Sequence, residues 1–229
     1  VPQRLVKTGK QFAAPRWSPD GELVAYISCT WSDPGLVGGD LFVLDTVTRA
    51  VRDLTGGLSL SVSWIEWKMD GSGLIFMAHE GGDVSLTEID LSSRKQKRLW
   101  SGPFTFAERS QPKFSVDRTG ESFAVAREDP YHPRDIWMFS KRGGSKQLTR
   151  LHGDFEKIEL GRTEDVTWQS LDHRTIQGLL IRPADSAVKA PYPLVVQVHG
   201  GPANTWPHRL IATWHDWGQL LAAHGYAVF

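Results

Sequence analysis

Short apolar runs alternate with turn-forming clusters along most of the chain, and the clusters recur with a fixed period. Trp17-Ser18-Pro19-Asp20-Gly21 precedes the run Leu23-Val24-Ala25-Tyr26-Ile27, and Trp67-Lys68-Met69-Asp70-Gly71 precedes Leu74-Ile75-Phe76-Met77. Phe114-Ser115-Val116-Asp117-Arg118-Thr119-Gly120, with a turn two residues longer, precedes Phe123-Ala124-Val125. The three aspartates lie 50 and then 47 residues apart. A second pattern has the same period. Leu5, Leu54, Leu99 and Leu148 each close a strand-like segment, at spacings of 49, 45 and 49 residues.

Each unit reads as four short strands. An aromatic ends the first strand, and Asp-Gly makes a hairpin turn in which glycine takes positive φ at little steric cost. The apolar second strand follows. The third is Asp40–Leu44, Asp83–Leu86 or Asp135–Phe139, and the fourth is Ala50–Leu54, Gln96–Leu99 or Ser145–Leu148. Four strands per 45–50 residues is the pattern of a β-propeller blade. Unrelated hairpins in a sandwich would not keep two motifs in step. The first residues, Val1 to Leu5, read as the last strand of a further blade. Three complete units follow, whereas a closed ring usually needs about four to eight. The expectation is a partial propeller over 1–160, cut from a longer chain.

Beyond Gly161 the periodicity stops, and 161–229 reads as the start of a second domain. Glu164–Ser170 and Thr175–Ile181 form an antiparallel pair around the turn Leu171-Asp172-His173-Arg174. Histidine accepts positive φ better than most residues, so it suits that turn. Leu194-Val195-Val196-Gln197-Val198 reads as a strand covered on both faces of a sheet, and His199-Gly200-Gly201-Pro202 follows directly. Apolar residues at helical spacing predict a helix over Leu210–Ala223, stopped by Gly225. Tyr226-Ala227-Val228-Phe229 begins another buried strand. This order is the opening of an α/β-hydrolase sheet.

Composition narrows the partners. Of 229 residues, 26 are basic and 26 acidic, and zero net charge argues against nucleic-acid or membrane-surface binding. No run approaches about 18 apolar residues, so no membrane-spanning helix is expected, and the first residues lack the features of a signal peptide. Cys29 is the single cysteine, which excludes an internal disulfide and a cysteine-rich metal site and suits a small core residue.

These motifs together resemble the prolyl oligopeptidase family of serine peptidases, in particular its acylaminoacyl-peptidase branch. The resemblance rests on the Trp-Ser-Pro-Asp-Gly type repeats, on Glu164-Asp165-Val166-Thr167-Trp168, on Pro193 through Pro202, and on Leu220 through Val228. The histidine heading the glycine pair favours that branch over those with tyrosine there. The family implies a propeller limiting access to an α/β-hydrolase domain, hydrolysis of short peptides through an acyl-enzyme, and no metal or organic cofactor. It implies a peptide substrate and the remainder of the parent polypeptide as partners, allows a homo-oligomer of the complete enzyme, and with no targeting segment visible gives a cytoplasmic location as the expectation.

The nucleophile of this fold sits in a Gly-x-Ser-x-Gly elbow, with Asp and His later in the chain. Ser72, Ser101 and Ser145 have glycine neighbours without that spacing, and the family's triad would follow the position of Phe229. This segment alone is therefore expected to be inactive. His79, His132, His152 and His173 fall at strand ends or turns and read as surface histidines. What remains is the oxyanion loop. Glycines 200 and 201 let backbone come close to substrate. By resemblance, the Gly201 N–H donates to the developing oxyanion, and His199 and Gly200 support the loop. No equivalent stands out for the glutamate pair with which the dipeptidyl peptidase IV branch binds a free N-terminus. Two other readings stay open: a non-catalytic TolB-like binding propeller, which residues 193–229 oppose, and an α/β-hydrolase esterase, since fold does not set substrate.

Overall fold

The computed structural model describes residues 3–30, 38–106, 113–185, 187–200, 205–212 and 216–229. The repeats fold as three successive antiparallel sheets. The first contains β1 (Gln11–Trp17), β2 (Leu23–Cys29), β3 (Asp40–Asp45) and β4 (Val51–Asp53) in sequence order. The second contains β5 (Ser61–Trp67), β6 (Gly73–Glu80), β7 (Asp83–Asp90) and β8 (Gln96–Gly102). The third runs through β10 (Phe114–Val116), β11 (Ser122–Asp129), β12 (His132–Ser140) and β13 (Ser145–Gln147). It gains a fifth strand that the repeat pattern does not predict, β9 (Thr105–Phe106), paired with β11. Gln3–Thr8 join no sheet, so the expected outer strand at Val1–Leu5 has no pairing among the described residues.

The Asp-Gly turns form as expected, with φ of +76° at Gly21, +71° at Gly71 and +71° at Gly120. The aspartate carboxylates accept the backbone N–H groups that the turns leave free: Glu22 to Asp20 at 3.0 Å, Ser72 to Asp70 at 3.0 Å, and Glu121 to Asp117 at 2.9 Å. A second aspartate turn, not singled out in the sequence, closes the third strand of two sheets. Asp45 accepts from the N–H groups of Val47 and Thr48 at 2.9 and 2.7 Å. Asp90 accepts from those of Ser92 and Ser93 at 3.2 and 2.8 Å, and from both serine hydroxyls at 2.7 Å. Each of these turns ends on an arginine in the left-handed region, Arg49 at φ 64° and Arg94 at φ 57°.

The second sheet is buried on both faces. Leu74, Phe76 and Ala78 of β6 join Ile27, Val43 and other first-sheet side chains in one cluster. Ile75 and Met77, the alternate residues, join Phe106, Phe123 and Phe139 of the third sheet in another. Period-2 alternation lets one strand serve both interfaces. Polar contacts add to the stack. The Trp67 indole N–H donates to the Arg16 carbonyl at 2.9 Å. Glu88 takes Lys68 at 2.9 Å and Lys141 at 3.0 Å, and although burial raises its pKa, these two lysines bring it below the ordinary value. Cys29 ends β2 half-exposed, not in the core.

After a 3-10 turn at Gly153–Lys157, the fourth sheet is mixed. β14 (Thr163–Gln169) and β15 (Thr175–Ile181) pair antiparallel from Thr163↔Ile181 to Gln169↔Thr175. Their turn carries His173 at φ 62°, as its chemistry allows. β16 (Leu194–Val195) and β17 (Ala227–Val228) pair parallel, with β17 between β15 and β16. The helix is shorter than its periodicity predicts: α1 spans Gly218–Ala223, and Leu210–Ala212 are not helical. The Gln219 N–H goes to the Ile211 carbonyl at 2.9 Å and Asp216 pairs with Arg209, contacts that a continuous helix over these positions would not make. Gly225, at φ 85°, ends α1 as expected. α1 also anchors the start of this region. The buried Gln219 carboxamide accepts the Gly161 N–H at 2.7 Å and donates to the Gly161 carbonyl at 3.1 Å.

Two outcomes follow for the full-length protein. The Ser93 N–H, then the Ser92 and Ser93 hydroxyls, hold the Asp90 carboxyl far below its ordinary 3.8. Its folded pKa lies below the unfolded one, so its stabilisation is present above about pH 4 and lost as pH falls toward the folded value. Asp90→Asn should lower the melting temperature at pH 7 and flatten its decline between roughly pH 5 and 2, read by calorimetry. Gln219→Ala should orphan both polar groups of Gly161 and cost about 2–4 kcal/mol. Thermal melts would register that loss, with limited proteolysis cutting faster near residue 161.

Candidate functional site

The His199 loop emerges from the carboxyl end of β16. Hydrogen bonds continue the parallel pairing past the two assigned residues: Ala227 N–H to Pro193, Phe229 N–H to Val195 and Gln197 N–H to Phe229 carbonyls, at 2.9, 2.8 and 2.7 Å. The chain is therefore extended up to His199 and leaves the sheet there. The expectation that Leu194–Val198 is covered on both faces is not met. Leu194, Val196 and Val198 are 57%, 60% and 82% exposed, while the alternate Val195 and Gln197 are half-buried. Among the described residues this strand therefore has one partly packed face and one open face.

His199 donates from Nδ1 to the Gly200 carbonyl at 3.1 Å, which holds the ring over the first peptide of the loop. Gly200 is outside the left-handed region, and a Cβ there would meet nothing within 4 Å. Its value in this arrangement is open space above the backbone, not a forced turn. Gly201, the expected oxyanion donor, lies outside the described residues. Beside the loop is a cavity of about 310 Å³, walled mainly by Trp168, Ile176, Val196, Val198, Trp206 and Phe229 and bordered by His199. Its walls are apolar, with Trp168 and Phe229 in ring contact at 5.4 Å. The carboxyl end of parallel strands, here with His199 beside an apolar cavity, is a common placement for ligand chemistry in α/β sheets. Among the described residues, no three His, Cys, Asp or Glu side chains converge as a metal site.

The other histidines are placed as follows. His132 packs its Nδ1 against the Asp129 carboxylate at 2.8 Å and closes the β11–β12 turn. His173 occupies its hairpin turn, and His152 precedes the 3-10 turn. His79 is not a plain surface residue: it is the penultimate residue of β6, and burial lowers its pKa, which favours the neutral ring.

Sequence reasoning passed over the residues that seat this region on the other sheets. His208 is buried, and its Nδ1 meets the Gly82 carbonyl at 2.7 Å in the turn between β6 and β7. The Tyr131 hydroxyl accepts the Thr163 N–H at 2.9 Å at the start of β14. Arg209 pairs with the buried Asp216 and also faces Glu128 on β11, whose carboxyl is pushed up by burial despite Arg134 and Arg209. The one available signal was Gly81-Gly82 between two strands. A Cβ on Gly82 would lie 2.3 Å from the Gln177 Nε2 and 2.8 Å from the His208 ring, so a side chain there would displace one or both of these groups.

No family model matches the chain. It is 25% identical over 219 residues to dipeptidyl-peptidase 5 of Porphyromonas gingivalis, covering 93% of this chain and 30% of that protein. It is 24% identical over 163 residues to the uncharacterized peptidase YuxL of Bacillus subtilis, covering 71% of this chain and 23% of that one. The acylaminoacyl peptidase of Pyrococcus horikoshii superposes with a TM-score of 0.67 at 20% identity, over 91% of this chain and 30% of that structure. A puromycin-hydrolyzing peptidase of Mycobacterium tuberculosis superposes at 0.56 and 17% identity, over 99% of this chain and 42% of that structure. The chain spans a quarter to a third of the length of these curated relatives. The chain is thus similar, over part of their length, to peptidases that belong to the prolyl oligopeptidase family.

Proposed function

We propose that the chain is the part of a serine peptidase that joins its access-limiting propeller to its catalytic domain, and that it supplies the oxyanion loop. In this reading the three antiparallel sheets are consecutive propeller blades within 1–160. The mixed sheet from residue 161 opens an α/β-hydrolase domain whose Ser, Asp and His come from outside these 229 residues. The observation that carries it is the parallel β16–β17 pair running straight into His199 and Gly200 beside an apolar cavity. The stacked sheets that precede it, and relatives named as dipeptidyl and acylaminoacyl peptidases, make a short peptide the natural substrate.

The chemistry follows from where charge develops. A serine oxygen attacks the scissile carbonyl, a base takes its proton, and the carbonyl oxygen becomes an oxyanion. Backbone N–H groups already aimed at that oxygen stabilise it without reorganising. Gly201 is the proposed donor. His199 acts as a positioning residue, because its Nδ1–H is committed to the Gly200 carbonyl and orients that peptide. The cavity walled by Trp206 and Phe229 would take an apolar portion of the substrate. Without the serine, these groups have no oxyanion to stabilise, so residues 1–229 alone would be inactive.

In the full-length enzyme, Gly201→Val should displace this N–H. Turnover on a blocked short peptide should fall by about 10²–10³, with KM changing much less, since the ground-state carbonyl uses the contact weakly. Steady-state kinetics with circular dichroism as a folding check would read this. A folded variant with near-wild-type turnover would remove Gly201 from the oxyanion role.

A further inference from the structure

The seam between the second and third sheets opens into a cleft of about 140 Å³ beside the Asp70 and Asp117 turns. This is the end of the seam away from the β6–β7 turn and Tyr131, which meet the mixed sheet. Trp67, Met69, Ile75 and Val116 form its apolar walls. Lys68, just after β5, and Lys141, just after β12, reach into it from opposite sheets. Their side chains are half-buried, 24% and 15% exposed, and each donates to a different oxygen of Glu88, at 2.9 and 3.0 Å.

An ammonium carries three donors and no acceptor. Glu88 takes one from each lysine, and Asp70 Oδ2, 3.9 Å from the Lys68 Nζ, is beyond hydrogen-bond reach. No other described residue accepts from either ammonium. Two cations against one carboxylate leave the floor of the cleft with an excess positive charge and with unused donors. The nearby aspartates do not supply the acceptor, because each is closed on its own turn. Asp70 takes the Ser72 N–H and hydroxyl at 3.0 and 2.8 Å. Asp117 takes the Glu121 N–H and the Thr119 hydroxyl, both at 2.9 Å. Asp90 is held by Ser92 and Ser93.

We propose that this cleft binds a small monocarboxylate with a short apolar tail. Its oxygens would bridge the Lys68 and Lys141 ammonium groups through charge-assisted hydrogen bonds, and its tail would lie against Trp67, Met69 and Val116. A phosphate dianion fits less well. Its second charge would face Glu88, Asp70 and Asp117, and it would leave the apolar walls unused. A bound carboxylate would tie the second and third sheets together at the end away from the mixed sheet. The site therefore stands apart from the oxyanion loop and does not rest on the peptidase reading.

The test is ligand-observed saturation-transfer NMR on the full-length protein at neutral pH, titrated with sodium butyrate. The opposite-charge probe is n-butylammonium, which carries the same tail. Butyrate should bind with a dissociation constant on the order of 1–10 mM, as expected for a few charge-assisted hydrogen bonds at a partly exposed site. Butylammonium should bind at least about 10-fold more weakly, because like charges repel. Lys141→Met keeps the apolar stem and loses the ammonium, so butyrate should bind about 10-fold more weakly. Glu88→Gln removes a competing carboxylate, so butyrate should bind about 3- to 10-fold more tightly. Circular dichroism checks that each variant is folded. No saturable butyrate signal would overturn the site, as would equal binding of the two probes or unchanged butyrate affinity in the folded variants. Should Lys141→Met fail to fold, the two probes on wild type and Glu88→Gln decide alone.

Discussion

The second sheet has no solvent face, and the positions of its neighbours follow from that. β6 sends Leu74 and Phe76 to one side and Ile75 and Met77 to the other, all at most 1% exposed. A strand of this kind stabilises its fold only when apolar layers cover both sides. The first and third sheets supply those layers, and each presents a contiguous apolar cluster to it. A one-residue register slip would interchange the two sets of β6 and misfit both interfaces, so register matters more here than in a sheet with a wet face.

Register is set at the turns. Aspartates at the ends of the hairpins accept the free backbone N–H groups while remaining exposed or half-exposed, so the carboxylates keep contact with solvent. The same solution recurs at Asp20, Asp70 and Asp117 between first and second strands, and at Asp45 and Asp90 between third and fourth. Between sheets, buried apolar contact supplies the attraction, and a few directed groups fix the relative placement. Glu88, held by lysines from two sheets, is one, and the Trp67 indole is another.

Directed polar contacts tie the mixed sheet to the second and third sheets. Tyr131 meets Thr163 at the start of β14, His208 meets Gly82, and Gln219 replaces a missing strand partner for Gly161. Hydrogen bonds of this kind have short range and strict direction, so they orient the His199 loop relative to the second and third sheets. An interface built this way can open more readily than an apolar one, because water can replace each partner.

Local chemistry was enough for the repeats, the hairpin at Asp172-His173 and the strand boundaries from Thr175 to Ile181, because turn residues and alternation act within a few positions of one another. The loop His199-Gly200-Gly201 was singled out only through the family resemblance, since glycines directly after an apolar strand read equally well as a strand-end turn. The length of α1 was hidden from local chemistry. Apolar spacing over Leu210–Ala223 fits a helix, but Leu210–Ala212 are engaged otherwise, with the Ile211 carbonyl accepting from Gln219 and Arg209 paired with Asp216. The single packed face of Leu194–Val198 was equally hidden, since an apolar residue does not declare which neighbour will cover it. His208 is the clearest case. Nothing adjacent to it in sequence marks it, and its partners Gly82 and Asp165 lie 126 and 43 residues away. Periodic patterns encode elements because their physics is local; the seating of the candidate site depends on directed contacts between distant residues, which exist only once the sheets have packed.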